Sequence, residues 1–254
     1  MTVVMDSPLA SAPTTPGMRC LIDAGLSDTG LVRPANEDAL VRRPEAGLWA
    51  VADGMGGHTE GAWASAAVAR ALEDVELSGE FDADLARAEG AIQAANAEIW
   101  SYGQRLGGQT GSTVTALLVG GGRYGVLWAG DSRAYLLRAG TLQRLTSDHT
   151  HVQDRLDQGL LTPEEAFAHP LRHVLTRAVG VRPSLDLARR QGPVQPGDVL
   201  LLCSDGVHGV MAEAEVANAL SGRDPDAACR LLQRLCHARG APDNLTMAVL
   251  ATFA

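Results

Sequence analysis

The sequence predicts a mixed α and β fold in which largely antiparallel sheets lie between two helix layers. Three observations carry that expectation: short apolar runs bounded by Gly, Asp or Asn, connections tight enough for hairpins, and two separate sets of amphipathic helix signals. With 254 residues and 46% hydrophobic composition, the chain can bury a substantial core, and one large domain is expected.

Residues 1–17 are rich in Ser, Thr, Pro and Ala without an apolar period, and read as a disordered leader, with order beginning near Met18. Strand-like runs follow at 48–52, 112–119, 124–129, 134–137, 199–203 and 245–252. The turns at 120–123 and 138–140 are short enough to fold neighbouring runs back on each other, which favours antiparallel pairing over a doubly wound sheet. A helix is expected over 59–75, where Trp63, Ala67, Ala71 and Val75 make one apolar stripe. In the next helix Leu85, Ala88, Ile92, Ala95, Ile99, Tyr102 and Leu106 alternate steps of three and four to make a continuous packing seam. A later pair spans 212–220 and 225–238, with Asp224 as cap and Pro225 at the first helical position. Between them, over 147–184, the strand pattern lapses, and Thr162, Pro163 and Glu165 have the spacing of a capping box; this segment reads either as a functional insertion or as a disordered loop.

Charge and composition exclude several function classes. A formal net charge of -9 and a pI near 5.2 disfavour nucleic acid and anionic membranes as partners, because both would repel such a surface. No apolar run approaches the roughly 20 residues of a membrane helix, and no basic residue precedes Arg19 to start a secretory signal, so the cytoplasm is the expected compartment. All 21 basic residues are arginine, which hints at a GC-rich bacterial coding sequence. Cys20, Cys203, Cys229 and Cys236 lack the close pairing of zinc or dithiol sites and read as reduced core residues.

The chemistry is carried by acidic residues. Asp53-Gly54, Asp131 in Gly130-Asp131-Ser132-Arg133, Asp205-Gly206 and Asp243-Asn244 could each be an ordinary turn. Their joint placement says more, because Asp53, Asp131 and Asp205 each follow an apolar run whereas Asp243 precedes one, and antiparallel neighbours put those opposite ends on one rim. Carboxylates gathered there would raise each other's pKa unless a cation neutralised them. Oxygen-only donors select Mg²⁺, Mn²⁺ or Ca²⁺, and the absence of an EF-hand pattern leaves Mg²⁺ or Mn²⁺.

These segments resemble the protein phosphatase 2C family of metal-dependent serine/threonine phosphatases, in its compact bacterial form. The resemblance spans nearly everything after the leader. It rests on Ser27-Asp28-Thr29-Gly30 with Arg33 and Asn36-Glu37-Asp38, then Asp53-Gly54-Met55-Gly56-Gly57-His58, Gly111-Ser112-Thr113 and Gly130-Asp131-Ser132-Arg133. Asp148-His149, Leu175-Thr176-Arg177-Ala178, Ser204-Asp205-Gly206 and Asp243-Asn244 complete it in order. The fold it implies is α+β, a four-layer αββα sandwich of two central antiparallel sheets flanked by pairs of antiparallel helices. Residues 18–254 would form one catalytic domain, with a small flap at about 147–184.

The resemblance also implies roles. Asp53 would bridge two Mn²⁺ or Mg²⁺ ions, with Asp205 and Asp243 completing the first and the Gly54 carbonyl the second; Glu37 and Asp38 would orient metal-bound water, and Asp131 would hold a third ion sharing Asp205. The shared water, its pKa lowered, would attack phosphorus in line with the leaving serine or threonine oxygen. Arg33 would bind the substrate phosphoryl group and His58 would protonate the departing alkoxide. Asp148 and His149 are expected to set the geometry where the insertion leaves the core, with Asp148 able to cap a short helix. The implied partners are phosphorylated proteins, served by a bacterial serine/threonine kinase, and the chain is expected to be a monomer. The alternatives are a catalytically silent phosphoprotein-binding module, against which the intact acidic positions argue, and a phosphatase or esterase for small molecules.

Overall fold

The computed structural model describes residues 21–56 and 59–253. The expected leader, the onset of order near Met18, Cys20 and His58 lie outside the described residues. The chain opens with β1 (Leu21–Asp28), β2 (Asp38–Arg43) and β3 (Leu48–Met55), then two helices, α1 (Thr59–Asp74) and α2 (Phe81–Leu106). A short β4 (Gly111–Ser112) leads into two hairpins, β5 (Val114–Gly120) with β6 (Arg123–Ala129) and β7 (Arg133–Arg138) with β8 (Thr141–Arg144). After α3 (His151–Asp157) and α4 (Pro163–Ala168) come β9 (Ala188–Pro193) and β10 (Val199–Cys203). The chain closes with α5 (Asp205–His208), α6 (Glu213–Leu220), α7 (Pro225–Ala238) and β11 (Leu245–Thr252).

The strands form two sheets, ordered β1-β11-β10-β7-β8 and β2-β3-β5-β6-β9, with β4 beside β3. Every strand pairing between them is antiparallel. The pleat explains why the interior strands read as continuous apolar runs. In β3, Leu48, Ala50 and Ala52 pack under α1 and α2, whereas Trp49 and Val51 point into the space between the sheets. In β10, Leu200 and Leu202 face the other sheet, while Leu201 and Cys203 pack beneath α6 and α7. Three apolar layers therefore separate four structural layers, which is the expected αββα sandwich.

Local chemistry fixes the details. The β5–β6 hairpin turns on Gly121 and Gly122, both at positive φ, which matches the twist of the flanking strands. Thr162 and Glu165 make the reciprocal hydrogen bonds of the expected capping box on α4, and Asp224 caps α7 through Ala227 N at 2.9 Å. Two expectations need correction. The buried face of α1 centres on Ala64, Ala67, Val68 and Leu72, while Trp63, Ala71 and, just past the helix, Val75 pack against the core at its margin, Trp63 stacking on Tyr102 of α2. Asp148 caps no helix: Thr150 caps α3, accepting from Gln153 N at 3.1 Å. Cys203, Cys229 and Cys236 are buried free thiols, as expected.

Candidate metal centre at the sheet rim

The topology delivers the acidic residues to one end of the sandwich. Asp53 was expected just beyond its strand, but β3 runs on to Met55 because β4 pairs with its last residues; Asp53 stands inside the ladder, opposite Asp38 of β2. Asp131 sits in the three-residue link that carries the chain from β6 in one sheet to β7 in the other. Asp205 opens α5 just past β10, and Asp243 lies just ahead of β11, whose Met247 pairs with Cys203.

Neutral donors hold this rim in shape, and sequence reasoning gave most of them no role. Thr113 Oγ1 accepts from Asp53 N at 3.0 Å, Thr113 N donates to Asp53 O at 2.8 Å, and the Thr113 hydroxyl also meets Ser132 Oγ at 2.7 Å. The strand bearing Asp53 is thus tied to the link bearing Asp131. Ser204 Oγ donates to Asp38 Oδ2 at 2.8 Å and accepts from Thr246 N at 3.0 Å, which joins the two sheets. Asn244 accepts from Glu37 N at 2.8 Å and donates to the carbonyls of Thr29 and Ala35, pinning the loop that carries Arg33. The signal for these groups was their place in the motifs Gly111-Ser112-Thr113, Ser204-Asp205-Gly206 and Asp243-Asn244, which gave them no brace role.

Glu37 and Gly54 meet the start of α1 at close quarters. A Cβ on Gly61 would fall 2.1 Å from Glu37 Oε2 and 3.1 Å from Gly54 O, so only glycine lets the helix approach. Arg33 Nη2 donates to Asp243 Oδ2 at 2.7 Å. Asp148 takes both prongs of Arg133, at 2.9 and 2.6 Å, and the His149 amide donates to Gly130 O at 3.0 Å, so this pair anchors the insertion to the link bearing Asp131. His173, which sequence reasoning missed, reaches the rim from the insertion: one ligand atom from each of Asp131, His173 and Asp205 lies within 4.8 Å of the others. His208 places Nε2 3.0 Å from the Asp131 carbonyl; a carbonyl only accepts, so Nε2 carries the proton.

The electrostatics are those of crowded acid. Burial first, then the charges of Asp38, Asp205, Asp131 and Asp243, push the Asp53 carboxyl well above the usual carboxylate range. Burial also pushes Asp38 up to about 7, against hydrogen bonds from Ser204 and Thr246, with Asp205 and Asp243 adding to the rise. Asp131 is pushed up to about 7 by burial, then by Asp205 and Asp148. For Asp205 burial acts upward too, yet His173, His208 and Arg33 outweigh it and hold the group ionised. The donors around Asp53 are hard oxygens in excess of neighbouring positive charge, a set that fits Mg²⁺ or Mn²⁺.

Comparison with known proteins gives concordant findings. The model of the family described as protein phosphatase 2C matches residues 34–253. The serine/threonine protein phosphatase PstP of Mycobacterium tuberculosis is 40% identical over 235 residues, covering 89% of this chain and 44% of that protein, so the chain spans less than half of that relative's length. Among solved structures, PppA, a regulatory component of the T6SS in Pseudomonas aeruginosa, superposes with a TM-score of 0.86 at 39% identity, over 92% of this chain and 98% of that one. The catalytic domain of PstP in complex with two manganese ions gives a TM-score of 0.82 at 36% identity, over 92% of this chain and 99% of that one.

Proposed function

From the premise that the chain belongs to the protein phosphatase 2C family, we propose that it is a metal-dependent serine/threonine protein phosphatase that cleaves phosphoserine and phosphothreonine esters. The observation that carries this reading is the half-buried Asp53, surrounded by four like-charged neighbours. Asp53, Asp205, Asp243 and the Gly54 carbonyl would hold two Mn²⁺ or Mg²⁺ ions, with Asp38 and Glu37 orienting water around them. Bound there, the ions would supply a water acidic enough to attack phosphorus directly near neutral pH.

The chain's own groups do the rest. Arg33 presents a planar fork of donors to the phosphoryl oxygens, exchanging Asp243 for substrate. His58, five residues beyond Asp53, gives its proton to the departing alkoxide oxygen. No covalent intermediate is needed, in keeping with the buried state of Cys203, Cys229 and Cys236, whose thiols burial pushes upward. Residues 147–184 act as a flap beside the site, and residues 18–254 form one catalytic unit. The partners are phosphorylated proteins, with a bacterial serine/threonine kinase supplying them, and the enzyme works as a cytoplasmic monomer. No helix among the described residues is long and apolar enough to cross a membrane, which is compatible with that setting. The full acidic set gives no support to a catalytically silent binding module.

The test is turnover of a phosphothreonine peptide. Release of phosphate with Mn²⁺ or Mg²⁺, its loss on chelation and its return on adding metal back are expected. Turnover that survives chelation, or none with either ion, would overturn the proposal, and preference for metabolite esters over phosphopeptides would reassign the substrate.

A further inference from the structure

Arg33 stands in a loop whose residues 31–35 are all exposed, so its aim depends on the two feet that hold the loop. The foot on the Asp38 side rests on Asn244, which takes the Ala35 carbonyl and the Glu37 amide, and on Ser27, whose Oγ accepts from Asn36 Nδ2 at 2.8 Å. The other foot stands on α7, a helix to which the chemistry gives no part. Asp28, at the end of β1, accepts at Oδ1 from Gly30 N at 2.7 Å. Its Oδ2 accepts from Gln233 Nε2 and, at 3.1 Å, from His237 Nε2. A carboxylate only accepts, so His237 Nε2 carries the proton.

Gln233 and His237 are four residues apart and share one face at the end of α7. The chain leaves the helix through Gly240, at φ +90°, where the Ala241 amide returns to the Cys236 carbonyl at 3.0 Å. The Ala241 carbonyl then accepts from Leu31 N at 3.0 Å. Side chains and backbone of one helix end thus grip the loop at Asp28 and at Leu31, two residues before Arg33. The tolerance is small: Gly30 is held at φ +76°, and a Cβ there would fall 2.3 Å from the Asp243 carbonyl oxygen. Loop and Asp243 segment are therefore in direct contact.

We propose that Asp28 and His237 are positioning residues for Arg33: they fix one foot of its loop on the end of α7 and so hold the guanidinium where a phosphoryl group arrives. The inference rests on the reading of Arg33 as the phosphoryl clamp, and it adds a pair of residues that act on substrate only through that arginine. The helix is a firm base, because Ala228, Cys229, Leu232 and Cys236 are buried in the core. Anchoring an exposed loop to such a base removes its freedom before substrate binds, so less ordering remains to be done in the complex. With the anchor cut, Arg33 must be ordered by the substrate itself, and binding weakens while the chemical step is untouched.

The test is steady-state turnover of a phosphothreonine peptide and of an aryl phosphate at saturating Mn²⁺. The full chain is compared with His237→Ala, His237→Gln, Arg33→Ala and the double variant carrying Arg33→Ala and His237→Ala. KM is the readout, because partial unfolding removes active enzyme and lowers apparent kcat but leaves KM alone. His237→Ala should raise KM by about 3-fold to 10-fold, the scale on which coupled neighbours interact, with kcat near that of the parent. Both substrates should shift, since both present the same phosphoryl group to Arg33. His237→Gln, which keeps an N–H donor, should restore most of the parent KM, and in the Arg33→Ala background the loss of His237 should change KM no further. An unchanged KM in His237→Ala, an equal further loss without Arg33, or a rise confined to the peptide overturns the inference alone. A parent chain that turns over neither ester overturns the proposed function and the inference with it.

Discussion

Arg33 is held at the rim by Asp243, but both partners keep substantial exposure, 48% and 33% of their side chains. Such a pair contributes no more than about 1 kcal/mol, so a dianionic phosphoryl group can take over the guanidinium at little cost. Charge-assisted hydrogen bonds of that kind are worth roughly 1.5 to 3 kcal/mol. Arg33→Ala should therefore raise KM for a phosphopeptide by about 10-fold to 100-fold, with a smaller effect on kcat. Steady-state kinetics check this, and an unchanged KM would return Arg33 to a purely structural pair. The family resemblance pointed to Arg33, through its spacing to Asp38. It could not point to Thr113, Ser204 or Asn244 as braces, because what they do depends on which distant backbone groups fold against them.

At the scale of elements, legibility followed position in the sheet. The interior strands β3, β5, β6, β7, β10 and β11 were all readable, because burial on both faces demands continuous apolar runs. The unread strands β1, β2, β8 and β9 are the four edges. β9 carries Arg189, Arg190, Gly192 and Pro193, and β8 is only Thr141–Arg144; polar, short edges resist pairing with another chain, and that same composition hides them from a reading based on apolar pattern. The α1–α2 connection is held by another unread device. The Asp84 carboxylate accepts from Ser78 N at 2.6 Å, Ser78 Oγ at 2.7 Å and Gly79 N at 2.7 Å, inside the first turns of α2. Burial alone would raise its pKa, but these bonds and Arg87 outweigh burial and hold it below 3.8. With the folded value below the unfolded one, the ionised group contributes stability above the unfolded value near 3.8 and loses it as pH falls through the folded value. Asp84→Asn should cost about 1 to 3 kcal/mol at pH 7, and the gap should shrink in acid below the unfolded pKa. Denaturant melts at the two pH values check this; a gap that ignores pH would mean the cost is steric.

For the molecule as a whole, the sandwich solves a placement problem. Residues far apart in the chain reach one rim because β2 pairs β3 in one sheet, β10 pairs β11 in the other, and the link at Asp131 crosses between them. Three apolar layers fix the strands, so the rim can concentrate acid that would otherwise spread apart. A ligand that binds only the folded chain stabilises it in proportion to its occupancy, so metal loading and global stability are coupled here. The most direct measurement is anomalous diffraction from crystals grown with Mn²⁺. Two peaks between Asp53, Asp205, Asp243 and the Gly54 carbonyl are expected, while a rim without anomalous density in crystals bathed in Mn²⁺, or Mn²⁺ bound only elsewhere, would contradict the account.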